Sequence, residues 1–144
     1  EGNNAHTHPF VSVYEAYKKS GPNVLGVEAL QGDDGCTGVK VNTADGYADY
    51  LFSATDMQAH HPSKRVSFCG GVGLIREKEG QIQLMYLGCG RSLKKGNFVL
   101  ESDHDVYAAI YMQHGVWYYS ATGPVRVKIG KETKELNEGY NQKL

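Results

Sequence analysis

Histidine is the residue type in this sequence best suited to metal chemistry, since a neutral imidazole ring is a common ligand of zinc and copper. His6 and His8 have the H-x-H spacing, which on a strand places both rings on one side. Three further candidates, His60, His61 and His104, follow much later in the chain. No spacing ties these residues into one ligand set. The sequence therefore predicts ordinary surface or edge histidines, with no metal site and no cofactor.

Nucleophilic catalysis would require a serine or cysteine next to a base and an orienting acid. The candidate thiol is Cys89, but it lies between Gly88 and Gly90, and flanking glycines are typical of a bulge in a strand. The three cysteines allow at most one disulfide bond among them. The acidic residues fall mainly in turns, which does not indicate a carboxylate pair for glycoside hydrolysis. The sequence thus predicts no catalytic residue.

The aromatic residues indicate a role in sugar binding. Apolar residues alternate with Tyr107 and Tyr111 between positions 106 and 113, so a core-facing apolar set would turn both tyrosines outward. Aromatic rings on a sheet hold sugar rings through CH–π contact and apolar burial. The alternative is that these rings pack on a second sheet or a neighbouring domain. The predicted glycan contacts are Tyr107, Tyr111, Trp117 and Tyr119, with Tyr118 as an alternative partner across the hairpin.

Basic residues in the second half of the chain would steer an acidic polymer if the fold brought them together. They are Arg91, Lys94, Lys95, Arg126, Lys128, Lys131 and Lys134. The alternative is interspersed surface charge. Fifteen basic against sixteen acidic side chains give a formal charge of −1, which argues against a strongly cationic nucleic-acid binder.

The elements that must position these residues are strands. The chain has 144 residues and 18 glycines, well above the usual frequency of roughly 7%. Apolar residues recur at every second position, and no window shows the spacing of an amphipathic helix. About eleven or twelve short strands separated by turns predict an all-β fold, an antiparallel two-sheet β-sandwich. We expect a single domain over residues 1–144, with no membrane partner because no stretch of ~20 apolar residues occurs.

Several boundaries follow from the same alternation. Residues 10–17 are predicted as the first strand, and residues 56–62 as the main irregular loop. Breaks are predicted near Gly70 and near Gly90, where glycines interrupt the pattern. The polar tail from Lys131 onward is predicted to fray.

Three segments occur in a fixed order along the chain. Residues 10–17 read FVSVYEAY, residues 49–54 read DYLFSA, and residues 73–80 read GLIREKEG. Together they resemble the C-terminal β-sheet region of heparinase II/III-type polysaccharide lyases, whose strands and hairpin read roughly F-x-S-V-x-E-P-Y, D-Y-x-x-x-A and G-x-x-R-E-x-x-G. The resemblance covers about residues 8–130, and Ala16 stands where the pattern often has proline.

This resemblance implies a parent protein that cleaves uronate-containing polysaccharide by β-elimination, using residues of a helical toroid and an adjoining β-domain. No catalytic or metal-binding residue of the family can be carried over to this chain. The resemblance therefore implies a module that is not an enzyme on its own. Its implied partners are the catalytic α/α-toroid of the same parent chain and acidic polysaccharide, and its implied location is periplasmic or secreted. The alternative is a free-standing carbohydrate-binding module.

Overall fold

The computed structural model describes residues 12–16, 21–30, 35–62 and 66–144. Within these ranges the chain forms eleven strands, and every strand pairing is antiparallel. The same residues contain no helix that is long and apolar enough to cross a membrane. The strands are β1 (Val24–Leu30), β2 (Cys36–Thr43), β3 (Tyr47–Ala54), β4 (His61–Pro62), β5 (Ser67–Lys78), β6 (Gln81–Lys95), β7 (Phe98–Gln113), β8 (Val116–Ala121), β9 (Val125–Ile129), β10 (Glu132–Leu136) and β11 (Gly139–Lys143). The predicted all-β sandwich is confirmed.

The two layers of the sandwich share three long strands. The larger layer has the order β1-β2-β3-β5-β6-β7-β8-β11. The smaller layer contains β4, the first part of β5, the last part of β6 and the first part of β7, followed by β9 and β10. The breaks predicted near Gly70 and Gly90 are therefore bends, at which one strand passes from one layer to the other.

The bends depend on glycine because two backbones approach each other closely there. A Cβ atom on Gly90 would lie 2.6 Å from the Cys69 carbonyl oxygen and 2.7 Å from the Gly70 Cα atom. The pairing register shifts on both sides of Gly90. This confirms the bulge predicted from the glycines around Cys89, which itself has a left-handed φ of 48°.

The core lies between the two layers. Phe68 of the smaller layer is 1% exposed, and its ring packs on the backbone of Gly73 in the larger layer, where an added Cβ atom would be 3.0 Å from the ring. The Phe68 ring also lies 6.0 Å from the Phe52 ring, between centroids. Burying a phenylalanine side chain of this kind stabilises the fold by about 1.5–3 kcal/mol. The core residues with no measurable exposure in the described ranges are Ile75, Met85, Leu87, Leu93, Leu100 and Ile110.

An ion pair is enclosed at one end of this core. The Lys95 ammonium lies 2.5 Å from a Glu77 carboxylate oxygen, and both side chains are only 13% exposed. The same ammonium sits 3.5 Å from the ring centroid of Tyr50, a cation–π arrangement. Lys95 therefore joins the end of β6 to the inner face of β3.

The loop predicted over residues 56–62 ends two residues early, because His61–Pro62 form β4, and two further predicted boundaries are wrong. The polar tail does not fray, because β10 pairs with β9 and β11 pairs with β8 through backbone hydrogen bonds that need no apolar side chains. At the other end, the described residues 12–16 are not a strand. Instead the Glu15 carboxylate accepts hydrogen bonds from the Asn23 and Val24 N–H groups, at 2.7 and 3.0 Å, where β1 begins. Positions 10, 11 and 17 of that predicted strand lie outside the described residues.

Candidate functional site

The four predicted glycan contacts lie on the β7–β8 hairpin but on opposite faces of it. Tyr119 pairs with the fully buried Ile110 and is 9% exposed. Trp117 also faces inward, with its ring 5.9 Å from the Phe98 ring. These two side chains pack within the sandwich, as the alternative interpretation proposed, and do not form one platform with the two outward tyrosines.

The outward residues of the hairpin are tyrosines. Tyr111 pairs directly with Tyr118, and their rings are stacked with centroids 6.0 Å apart at 18°. The alternative partner named from the sequence is therefore the one observed. Tyr107 lies four residues before Tyr111 on the same face of β7 and is 54% exposed. Glycan contact by Tyr107 and Tyr111 stays a prediction.

The tyrosine pair supports a bulge in the neighbouring strand β11. The Tyr111 hydroxyl donates a hydrogen bond to the Asn141 side-chain oxygen at 2.5 Å, and the Asn141 N–H donates to the Ser120 hydroxyl at 2.9 Å. Asn141 has a left-handed φ of 52°, and the register shifts between Gly139 and Gln142. The bulge leaves the Tyr140 side chain 83% exposed beside the hairpin.

Three tyrosines from three strands border a cleft of about 600 Å³ on this outer face. Tyr86, Tyr107 and Tyr140 stand around a surface of small residues such as Ala109 and Ser120. We call this the tyrosine cleft. Among the described residues, its one ionisable carboxylate is Glu138, and no lysine or arginine lines it. The rest of the described lining is Ala108, Ala121, Thr122 and Gly139.

Sequence reasoning missed Tyr86 and Tyr140. The ring of Tyr86 lies over Gly88, where an added Cβ atom would be 3.1 Å from the Tyr86 Cε1 and Oη atoms. A glycine two positions after an outward tyrosine was the available signal, since it leaves room for the ring to lie along the strand. No such signal exists for Tyr140, because its position depends on a bulge within a segment predicted to fray.

A second concave site, the charged cavity, lies on the outer face of the smaller layer and encloses about 540 Å³. It collects three of the predicted basic residues, namely Arg91, Lys94 and Arg126, but not the other four. Lys95 faces the interior. The full described lining is His60, Cys69, Arg91, Ser92, Lys94, Glu101, Ser102, Asp103, His104, Pro124, Val125, Arg126 and Glu135.

The cations of the charged cavity are already neutralised by acids. Lys94 lies 2.7 Å from Glu101, and Arg126 contacts both Glu101 and Glu135, at 3.2 and 2.5 Å. Arg91 is paired with Asp105 at 2.9 Å. The site therefore presents mixed charge rather than the basic surface that steering of an acidic polymer would need.

Glu101 makes this cavity sensitive to acid. The hydrogen bond from Lys94, assisted by Arg126 and opposed by burial, holds the pKa of Glu101 below its usual value of 4.5. A carboxylate with a lowered pKa contributes stability above its unfolded-state pKa and loses it as the pH falls through the folded-state pKa.

We expect wild type to be more stable than Glu101→Gln by about 1 kcal/mol at pH 6, with the gap closing as the pH falls below 4.5 and through the lowered pKa of Glu101 in the folded chain. Urea unfolding of both chains across this range measures the effect. Parallel stability curves for the two chains would contradict it.

Of the candidate histidines, His60 and His104 both line the charged cavity, whereas His61 is buried and does not line it. His6 and His8 lie outside the described residues. The His60 Nε2 atom is 2.7 Å from the Ser67 hydroxyl, and the Nε2 atom of the buried His61 is 3.2 Å from the Asp56 carbonyl oxygen. Among the residues that the structure describes, no group of three or more histidine, cysteine, aspartate or glutamate side chains is arranged to hold a metal ion.

Cys69 is a free thiol that is buried in the fold. Its Sγ atom lies 3.6 Å from the carbonyl oxygens of Met57 and Gln58, to which the thiol donates. Burial raises the pKa of the Cys69 thiol. That shift disfavours the thiolate form that nucleophilic chemistry requires.

The outer face of the larger layer is unusually apolar beyond the tyrosine cleft. Val27, Leu51 and Val72, on β1, β3 and β5, are 51%, 39% and 48% exposed. Leu74 pairs with Leu51 on the same face and is half-buried. We call these four residues the aliphatic face. Antiparallel sandwiches usually turn polar residues to solvent, so an exposed apolar surface of this kind indicates an interaction site.

Comparison with known proteins gives two matches. Residues 24–112 match the family described as the C-terminal domain of endo-acting ulvan lyases. An endo-acting ulvan lyase of Formosa agariphila (strain DSM 15362) is 33% identical over 101 residues. That alignment covers 66% of this chain but 12% of the relative, so the chain spans about an eighth of the relative's length. No solved structure matches.

Proposed function

Because this chain belongs to the family of C-terminal domains of endo-acting ulvan lyases, we propose that it is a non-catalytic module that packs on the catalytic body of a polysaccharide lyase. The proposed parent chain cleaves its polysaccharide by elimination, as the word lyase denotes. The heparinase II/III-like part of the sequence interpretation enters here as a proposal about architecture: a terminal sandwich packed against an α/α-toroid. We also propose a periplasmic or secreted location, where polysaccharide is accessible.

The aliphatic face carries this proposal. Leu51 and Val72 lie on neighbouring strands, so their exposed side chains form a continuous surface with Leu74. Most of the relative's length lies outside the matched segment, which supplies a partner within the same chain. Burial of this surface against the catalytic body would stabilise the contact by about 25 cal/mol for each Å² of apolar area removed from water.

The absence of catalysis is tested on the 144-residue chain alone. We expect no product from ulvan or from other uronate-containing polymers, followed as the ultraviolet absorbance of the unsaturated sugar end. Turnover that persists after repurification, and that rises in proportion to the concentration of the chain, would contradict the non-catalytic assignment.

Docking is tested in the parent chain with Val72→Asp. A carboxylate buried in an apolar interface without a partner is costly, so we expect a protease to release the module at least about ten times faster. Thr133→Asp places the same charge on the outer face of the smaller layer and serves as the control, with release expected at the wild-type rate. Equal rates for all three chains would favour the free-standing carbohydrate-binding module.

A further inference from the structure

We propose that the tyrosine cleft is a polysaccharide-binding subsite, in which a pyranose ring stacks by its C–H face on the outward tyrosines. The proposal rests on the proposed function for its ligand class, because a module of a polysaccharide lyase is exposed to that polymer. It extends the function by naming the site and the kind of contact. Its residues are Tyr86, Tyr107 and Tyr140, of which only Tyr107 was a candidate from the sequence.

The cleft offers flat apolar surface at fixed positions. The Tyr86 ring extends along the strand to Gly88, where its Cε1 and Oη atoms lie 3.1 Å from the position that an added Cβ atom would take. Tyr107 is fixed by reciprocal bonds with Thr122: its N–H donates to the Thr122 hydroxyl, and its carbonyl oxygen accepts from the Thr122 N–H, both at 3.0 Å. These bonds fix the backbone from which the Tyr107 ring projects, so the backbone there needs no further ordering when a ligand binds.

The small residues between the tyrosines leave room for the sugar. Ala109 and Ser120 pair directly across β7 and β8, and neither side chain extends far above the sheet. The third ring, Tyr140, is displaced outward by the bulge that Asn141 anchors. The resulting volume of about 600 Å³ exceeds what one monosaccharide occupies and fits a short segment of a polymer.

The charges of the cleft predict how it selects its ligand. Its described lining contains the Glu138 carboxylate and no cation. Glu138 can accept hydrogen bonds from sugar hydroxyls but repels a carboxylate or sulfate placed next to it. The bound ring must therefore present its charged substituents away from Glu138, and its affinity must come from stacking rather than from ion pairing.

The experiment measures binding of ulvan oligosaccharides to the 144-residue chain by NMR titration or calorimetry. We expect Tyr107→Ala and Tyr140→Ala each to weaken binding about ten-fold, since each removes a ring on whose apolar surface the sugar would stack. Tyr107→Phe keeps the ring and should bind within about two-fold of wild type. Tyr14→Ala removes a tyrosine that is 91% exposed outside the cleft and should leave the affinity unchanged.

Salt separates this site from the charged cavity. Binding to the tyrosine cleft should change less than about three-fold between about 50 and 500 mM NaCl, because no ion pair is formed and screening acts only on Glu138. Failure of wild type to bind, equal affinity of the Tyr107 and Tyr140 alanine variants with wild type, or loss of binding with salt and with Arg126→Ala would each overturn the proposal. Release of the module in Val72→Asp is measured separately, so the docking proposal can stand or fail independently.

Discussion

Replacing Gly90 by alanine is expected to lower the free energy of unfolding by about 3 kcal/mol or more. The new methyl group would lie 2.6 Å from the Cys69 carbonyl oxygen, 2.7 Å from the Gly70 Cα atom and 2.7 Å from the Leu87 Cδ1 atom. Two of these neighbours are backbone atoms of the adjacent strand. They can move only if the bend between the layers opens, and that would pull Phe68 away from the core.

Urea unfolding followed by circular dichroism measures this loss. Gly26→Ala is the matched control because Gly26 also lies in a strand, but no atom lies within 4 Å of the position that its new methyl group would take. We expect Gly26→Ala to change the free energy of unfolding by less than about 1 kcal/mol. A gain in stability would come from the unfolded state, because alanine leaves the unfolded chain less conformational freedom than glycine does. Similar losses for the two variants would show that the close approach at the bend is not decisive.

Replacing Lys95 by methionine is expected to cost about 3 kcal/mol, because it leaves the enclosed Glu77 carboxylate without its ammonium partner. The substitution also removes the cation that lies over the Tyr50 ring. Methionine retains an unbranched apolar chain, so the loss is mainly one of charge.

A double-mutant cycle separates the ion pair from packing. The double variant Glu77→Met/Lys95→Met carries no enclosed charge, and we expect it to be more stable than Lys95→Met by about 2 kcal/mol. The Lys94→Met variant is the control, since Lys94 pairs with Glu101 at a site where its side chain is 41% exposed. A cost below about 1 kcal/mol is expected there. Additive losses at positions 77 and 95 would contradict a coupled pair.

The strands could be predicted from alternation, but not which side of each strand faces the core. On β3, Tyr50 and Phe52 face inward as the pattern suggested. On β2, Val39 and Val41 pair with Leu51 and Asp49 and so belong to the opposite, outer face. Both faces of the larger layer carry apolar residues, so apolar spacing alone cannot distinguish the core from an interaction surface.

The candidate site was only partly predictable for a similar reason. The outward direction of Tyr107 and Tyr111 followed from the alternation on β7. Tyr86 and Tyr140 enter the same cleft from strands that are distant in sequence, and their meeting depends on strand order and on the bulge at Asn141. Whether the basic residues would cluster was left open by the sequence, and it could not show their acidic partners on neighbouring strands, such as Glu101.

The passage of β5, β6 and β7 through both layers has a mechanical consequence. A sandwich whose sheets are joined only by loops can shear or swing apart at those loops. Here any such motion would have to break backbone hydrogen bonds between strands in the middle of β5, β6 and β7, around Gly70 and Gly90. We therefore expect the described strands to move as one unit, with no hinge between the aliphatic face and the charged cavity.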